Sequence, residues 1–215
     1  MAGQCCGADL KFDGMSASFK CALWIVISIN AVMFVVEMSA GFASSSQALK
    51  ADALDFLGDT VTYGLSLYVI GMSVVWRARA ALFKGASLAV MGFWVMGSTI
   101  YYTLHSAAPQ AEIMSSIGAL ALVANLISVG ILLKYRDGDS NVRSVWLCSR
   151  NDAIGNVAVI LAAGGVWTTG TAWPDLIVAG IMASLFLWSA VSIIRQARGE
   201  ISEDQDLPHI SEVPH

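Results

Sequence analysis

The chain has 215 residues, of which 56% are hydrophobic and 13% charged, with a mean hydropathy of +0.66. A soluble domain carries about 25% charged residues, so this composition excludes an ordinary water-soluble domain and points to a membrane. The net charge of −4 comes largely from Glu200, Glu203, Asp204, Asp206 and Glu212, which follow the last apolar run. The few Lys and Arg residues are scattered and leave no nucleic-acid footprint.

Cys5 and Cys6 open the chain, with Cys21 and Cys148 as singletons. Such an arrangement does not resemble a disulfide framework. The adjacent pair reads either as part of an unstructured terminus or as a metal hand-off point. Six apolar stretches follow, each near the ~20 residues a spanning helix needs: about 21–43, 48–76, 81–104, 111–133, 144–167 and 174–194. The first lacks a cleavage-site pattern and is expected to remain as a membrane span. It carries Asn30 and Glu37, seven residues apart and so on one helical face. Glu37 reads as a helix-pairing, proton-carrying or neutral hydrogen-bonded group.

The second stretch holds Lys50, Asp52, Asp55 and Asp59. Steps of three, four and seven bring the three carboxylates onto one helical face. A charge at bilayer depth costs at least roughly 2.5–3.5 kcal/mol, so three on one face need a partner or a function. Asp55 and Asp59, one turn apart, can reach a single cation from the same helix. Asp52, a turn nearer the helix start, reads equally as an exit-path residue or as a carboxyl paired with Lys50 or backbone. In the third stretch Gly92 and Gly97, and in the sixth Ala179/Ala183 and Gly180/Ser184, have the spacing of close helix packing. Asn125 in the fourth reads as an interhelical hydrogen-bonding residue. The fifth carries Cys148 and Asp152, again an i,i+4 couple, with Arg150 pointing away from that face and Asn151 and Asn156 as packing residues. Pro174-Asp175 suits a helix start, where a carboxylate meets the positive end of the helix dipole.

Basic residues set the orientation. Lys11 and Lys20, then Arg77, Arg79 and Lys84, then Lys134, Arg136 and Arg143, then Arg195 and Arg198 fall on one side. The other connections lack Lys and Arg, and Lys50 alone lies on the wrong side. The positive-inside rule therefore predicts an all-α, multi-pass integral membrane protein with six spans and both termini cytoplasmic. The expected organisation is a cytoplasmic segment at 1–19, a six-helix domain at 20–198 and a disordered acidic tail at 199–215. His209 and His215 in that tail read as solvated.

Two helices that each offer an i,i+4 couple read as an intramembrane cation site of Asp55, Asp59, Cys148 and Asp152. Three carboxylates and one thiolate suit tetrahedral Zn²⁺ best, with Cd²⁺, Co²⁺ or Ni²⁺ also acceptable. Mg²⁺ and Ca²⁺ would not choose a thiolate.

These residues resemble the cation diffusion facilitator family of metal/proton antiporters, a likeness that spans about 16–197. SSSQALKADALDFLGD looks like the family's approach to its second-helix pair, and LCSRNDAIGNV like its fifth-helix motif. The resemblance places Asp55, Asp59, Cys148 and Asp152 on the family's metal-ligand positions. Asn30, Glu37, Asn125-Leu126 and Pro174-Asp175 also resemble family features. It departs where Cys148 replaces the usual fifth-helix histidine. It departs again where only residues 195–215 follow the last span, too few for the family's dimerising cytoplasmic domain. A homodimer is thus an open expectation. The resemblance implies a transporter, not an enzyme, that holds no cofactor, sits in a bacterial inner membrane, and exchanges metal ions for protons. A non-transporting sensor and a passive channel are the alternatives. An intramembrane aspartyl protease would match Gly58-Asp59 but leaves Cys148 without a role.

Overall fold

In the computed structural model the described residues are 17–68, 74–105, 108–133 and 140–206, and they form helices joined by short turns. Six helices follow in order: α1 Ala17–Ser44, α2 Gln47–Tyr68, α3 Val74–His105, α4 Ala111–Leu133, α5 Ser140–Thr169 and α6 Trp173–Asp206. Cys5, Cys6, His209 and His215 lie outside the described residues. Five of the helices (all but α2) are long and apolar enough to cross a membrane, so the chain is a multi-pass integral membrane protein.

The exception explains the architecture. Every residue from 46 to 54 is buried, and α2 packs on α1, α3, α5 and α6. The other five helices turn large apolar side chains outward, among them Val32, Phe93, Leu161 and Trp188. Lipid-facing surface is therefore supplied by the outer helices, and α2 carries its charges where neighbouring protein surrounds them. The most extensive partnership is α3 with α6, followed by α4 with α5 and α1 with α2. Gly92 permits part of it, since a Cβ there would meet Leu187 Cγ at 2.9 Å. Ala179 and Ala183 are fully buried in the same cluster, whereas Gly97 and Gly180 face open space. Only part of the small-residue pattern is thus a packing seam.

Helix limits differ from the sequence expectation in two places. Val74–Trp76 belong to α3 and not to the second span, because the run LSLYVIGMSVVW has no polar break to mark a turn. At the other end α6 continues through Gly199 to Asp206. Glu200, Glu203 and Gln205 favour the helix, and no proline intervenes before Pro208.

The α1–α2 turn is built tightly. Ser45 adopts a φ of 60°, and Ser46 caps α2 by accepting the Leu49 N–H at 3.0 Å on its Oγ. Asp175 is a cap, as expected, but for a helix other than its own. Its carboxylate accepts the Ser46 hydroxyl at 2.6 Å, the Gln47 N–H at 2.8 Å and the Ala48 N–H at 3.0 Å. It sits in the first turn of α6 and also closes the N-terminus of α2, so two helix dipoles favour its charge. Gly170, at φ +63°, ends α5 by donating its N–H to Val166 O at 2.8 Å.

Lys50, the basic residue on the unexpected side, is buried. Its ammonium lies 4.7 Å from the Phe42 ring centre and 4.9 Å from that of Tyr102. Two aromatic faces on α1 and α3 thus receive the charge in place of water. Asp175→Ala is expected to destabilise the bundle by about 1–3 kcal/mol by leaving α2's first N–H groups unpaired. Asp175→Asn, which keeps acceptor capacity, should lose less. Thermal unfolding in detergent measures both.

Candidate metal centre

The face of α2 that carries Asp52, Asp55 and Asp59 meets α5. Asp59 is buried, and the Asp152 carboxyl lies beside it. Three residues further along α5, Gly155 comes within reach of Asp52: a Cβ there would lie 3.9 Å from Asp52 Oδ1. The two helices run antiparallel, with Asp59 reaching Asp152 and Asp52 approaching Gly155. Sequence boundaries alone put the two couples at different depths, whereas the packed register brings Asp59 and Asp152 together.

The remaining members fall around that pair. Asp55 lies one turn from Asp59 towards the start of α2 and acts electrostatically on Glu37 of α1. Cys148 lies one turn from Asp152 towards the start of α5, its side chain outside the described set. Among the described residues, no three His, Cys, Asp or Glu side chains are arranged to hold a metal ion. Asp59 and Asp152 are therefore a facing pair, to which further donors would have to be added.

Two contributors were missed by sequence reasoning. Tyr63, one turn beyond Asp59, lies beside its carboxyl; the i,i+4 spacing could have flagged it. Lys84 was read only as part of the basic flank that sets the orientation; it is buried within α3 and acts electrostatically on Asp59.

Other polar residues on α1 and α2 are deeply buried. Glu37 and Asp52 lie side by side and are 0% and 2% exposed. Asn30 and Asn125 are buried too. Unpaired buried polar atoms include Asn30 Oδ1, both Glu37 oxygens, Asp52 Oδ2, Ser128 Oγ and the amide of Asn156. Such groups are rarely left without water or an ion. They lie on α1, α2, α4 and α5, the helices that surround the pair.

This arrangement can be set against known proteins. The model of the cation efflux transmembrane domain matches residues 23–202. The chain belongs to the cation efflux family. It is 28% identical over 179 residues to the metal cation efflux system protein CzcD of Cupriavidus metallidurans, covering 78% of this chain and 56% of that protein. It is 25% identical over 195 residues to the cadmium, cobalt and zinc/H⁺-K⁺ antiporter of Bacillus subtilis, covering 84% and 62%. Similarity to the zinc transporter ZitB of Escherichia coli is 26% over 194 residues, covering 84% and 62%. The chain thus spans less than two thirds of the length of these relatives.

Lys84 places a positive charge where a cation would meet Asp59. Lys84→Gln is therefore expected to tighten Zn²⁺ or Cd²⁺ binding by up to about tenfold, measured by calorimetric titration of the purified protein. Weaker binding in the variant would show that Lys84 instead holds Asp59 in position.

Proposed function

We propose that this chain transports divalent transition-metal ions out of the cytoplasm in exchange for protons, using Asp55, Asp59, Cys148 and Asp152 as the transport site. The observation that carries the reading is the Asp59–Asp152 pair, two carboxyls side by side within an apolar bundle. Two such groups repel when ionised and are reconciled by a proton or a metal ion. Names of the relatives, which speak of cadmium, cobalt and zinc and of zinc, support the same ion class here. The proposed setting is a bacterial plasma membrane with both termini cytoplasmic.

The charge count supports antiport. Four ionised ligands would carry −4 against a +2 ion, so the empty site regains protons that the metal displaces. Access alternates as helices rock around the fixed site. Asp55 and Cys148 flank the central pair by one turn each, about 6 Å. Convergence of all four on one ion therefore requires a small axial movement of α2 against α5. Asp52, Glu37 and Asn30 support or line the pathway. Zn²⁺ is the favoured cargo, with Cd²⁺, Co²⁺ and Ni²⁺ as competitors, because a thiolate joins the carboxylates.

Asp59→Ala is expected to bring pH-gradient-driven Zn²⁺ uptake into inverted vesicles to background and to weaken binding by about a hundredfold or more. Unchanged uptake would overturn the proposal. Flux in proteoliposomes that is indifferent to the pH gradient would indicate a channel, and binding without flux a sensor. Cys148→His is expected to keep transport while shifting preference from Cd²⁺ towards Zn²⁺, read from competition between the two ions. An unchanged preference would remove Cys148 from the site.

A further inference from the structure

Glu37 and Asp52 form a second carboxyl pair that the four proposed ligands do not use. Each lies within about 11 Å of the α1–α2 turn along its own helix, and their carboxyls lie side by side. Both Glu37 oxygens and Asp52 Oδ2 are buried without a hydrogen-bond partner. Ionised carboxylates only accept hydrogen bonds, so two of them cannot satisfy each other. One proton changes this, because a carboxyl then donates to its carboxylate neighbour.

Among the described residues no other group is seen to compensate the pair. Acids are the electrostatic neighbours of Glu37, namely Asp52 and Asp55. From α5 the approach to Asp52 is made by Gly155, which has no side chain, with Asp152 one turn further on. Within α4 the one ionisable residue is Glu112, in the first turn. Asp175 of α6 is occupied by the α2 cap. Lys50 leaves α2 on the opposite face, between Phe42 and Tyr102, and Lys84 of α3 acts on Asp59.

We propose that Glu37 and Asp52 hold one shared proton outside the metal-ligand set and release it to water when a divalent cation reaches Asp55. The release half of this inference rests on the transport reading above; the shared proton does not. Coupling is electrostatic: a double positive charge at Asp55 favours the fully ionised pair. Departure of the cation restores the repulsion, and the pair takes a proton back. Glu37 is thus a site for the counter-ion and not for the metal.

The test uses Glu37→Gln and Asp52→Asn in the purified full chain. Each amide can donate to the remaining carboxylate, so each variant replaces the shared proton by a built-in donor. Infrared spectra of metal-free protein should show a protonated-carboxyl C=O band in the wild type with a component, beyond that of the ligand carboxyls, that is lost in both variants. Zn²⁺ titration with a pH dye should show binding retained, with the protons released per Zn²⁺ lower by about one in each variant. Should one variant fail to fold, the other reads both quantities. A wild type without that component, or variants that keep it and the wild-type proton count, would overturn the pair. Loss of Zn²⁺ binding in the folded variants would overturn its separation from the ligands. If the wild type binds no Zn²⁺, the transport reading falls, while the infrared comparison still decides whether the proton is shared.

Discussion

Everything in this bundle depends on keeping the charged face of α2 away from lipid. A single charge at the bilayer centre costs at least roughly 2.5–3.5 kcal/mol, and α2 carries Lys50, Asp52, Asp55 and Asp59 within one short helix. Burial of every residue from 46 to 54 meets that constraint by surrounding the helix with α1, α3, α5 and α6. The same enclosure excludes bulk water, which strengthens any attraction between the carboxylates and a cation. Position and chemistry thus share one cause: a helix too polar for lipid becomes the centre of the bundle.

Holding that central helix falls to contacts near its start. The Asp175 carboxylate ties α6 to the N-terminus of α2, and Lys50 binds the opposite face to Phe42 of α1 and Tyr102 of α3. One acid and one base, each otherwise expensive to bury, are both used as links between helices. They lie at the end of α2 away from Asp59, so this end is pinned while the end beyond Asp59 carries fewer such ties among the described residues.

Much of this was legible in the sequence. Hydropathy revealed six helices, and the i,i+4 couples pointed to Asp59 and Asp152, which packing brings side by side. Family membership followed from the same residues. The α2–α3 boundary was not legible, because an unbroken apolar run gives a hydropathy reading no sign of where one helix ends and the next begins. The influence of Lys84 on Asp59 was not legible either, because it depends on how α3 packs against α2. Asp175 was recognised as a cap from local spacing, but which helix it caps depends on a contact 129 residues away in sequence. Glu37 showed the same limit: its face was readable, while its partner on α2 required the packed register.

That register also orders the carboxyls into a column. Glu37 and Asp52 stand nearest the α1–α2 turn, Asp55 follows, and Asp59 with Asp152 lies beyond. Among the described residues, the positive charge that acts on Asp59 against these five acids is Lys84, since Lys50 faces away. Full ionisation would leave a large negative excess in a medium that screens poorly. Mobile cations are the natural balance for such an excess, and protons and a metal ion compete for the same oxygens. Inside an otherwise apolar bundle such a column is costly unless protons or cations neutralise it.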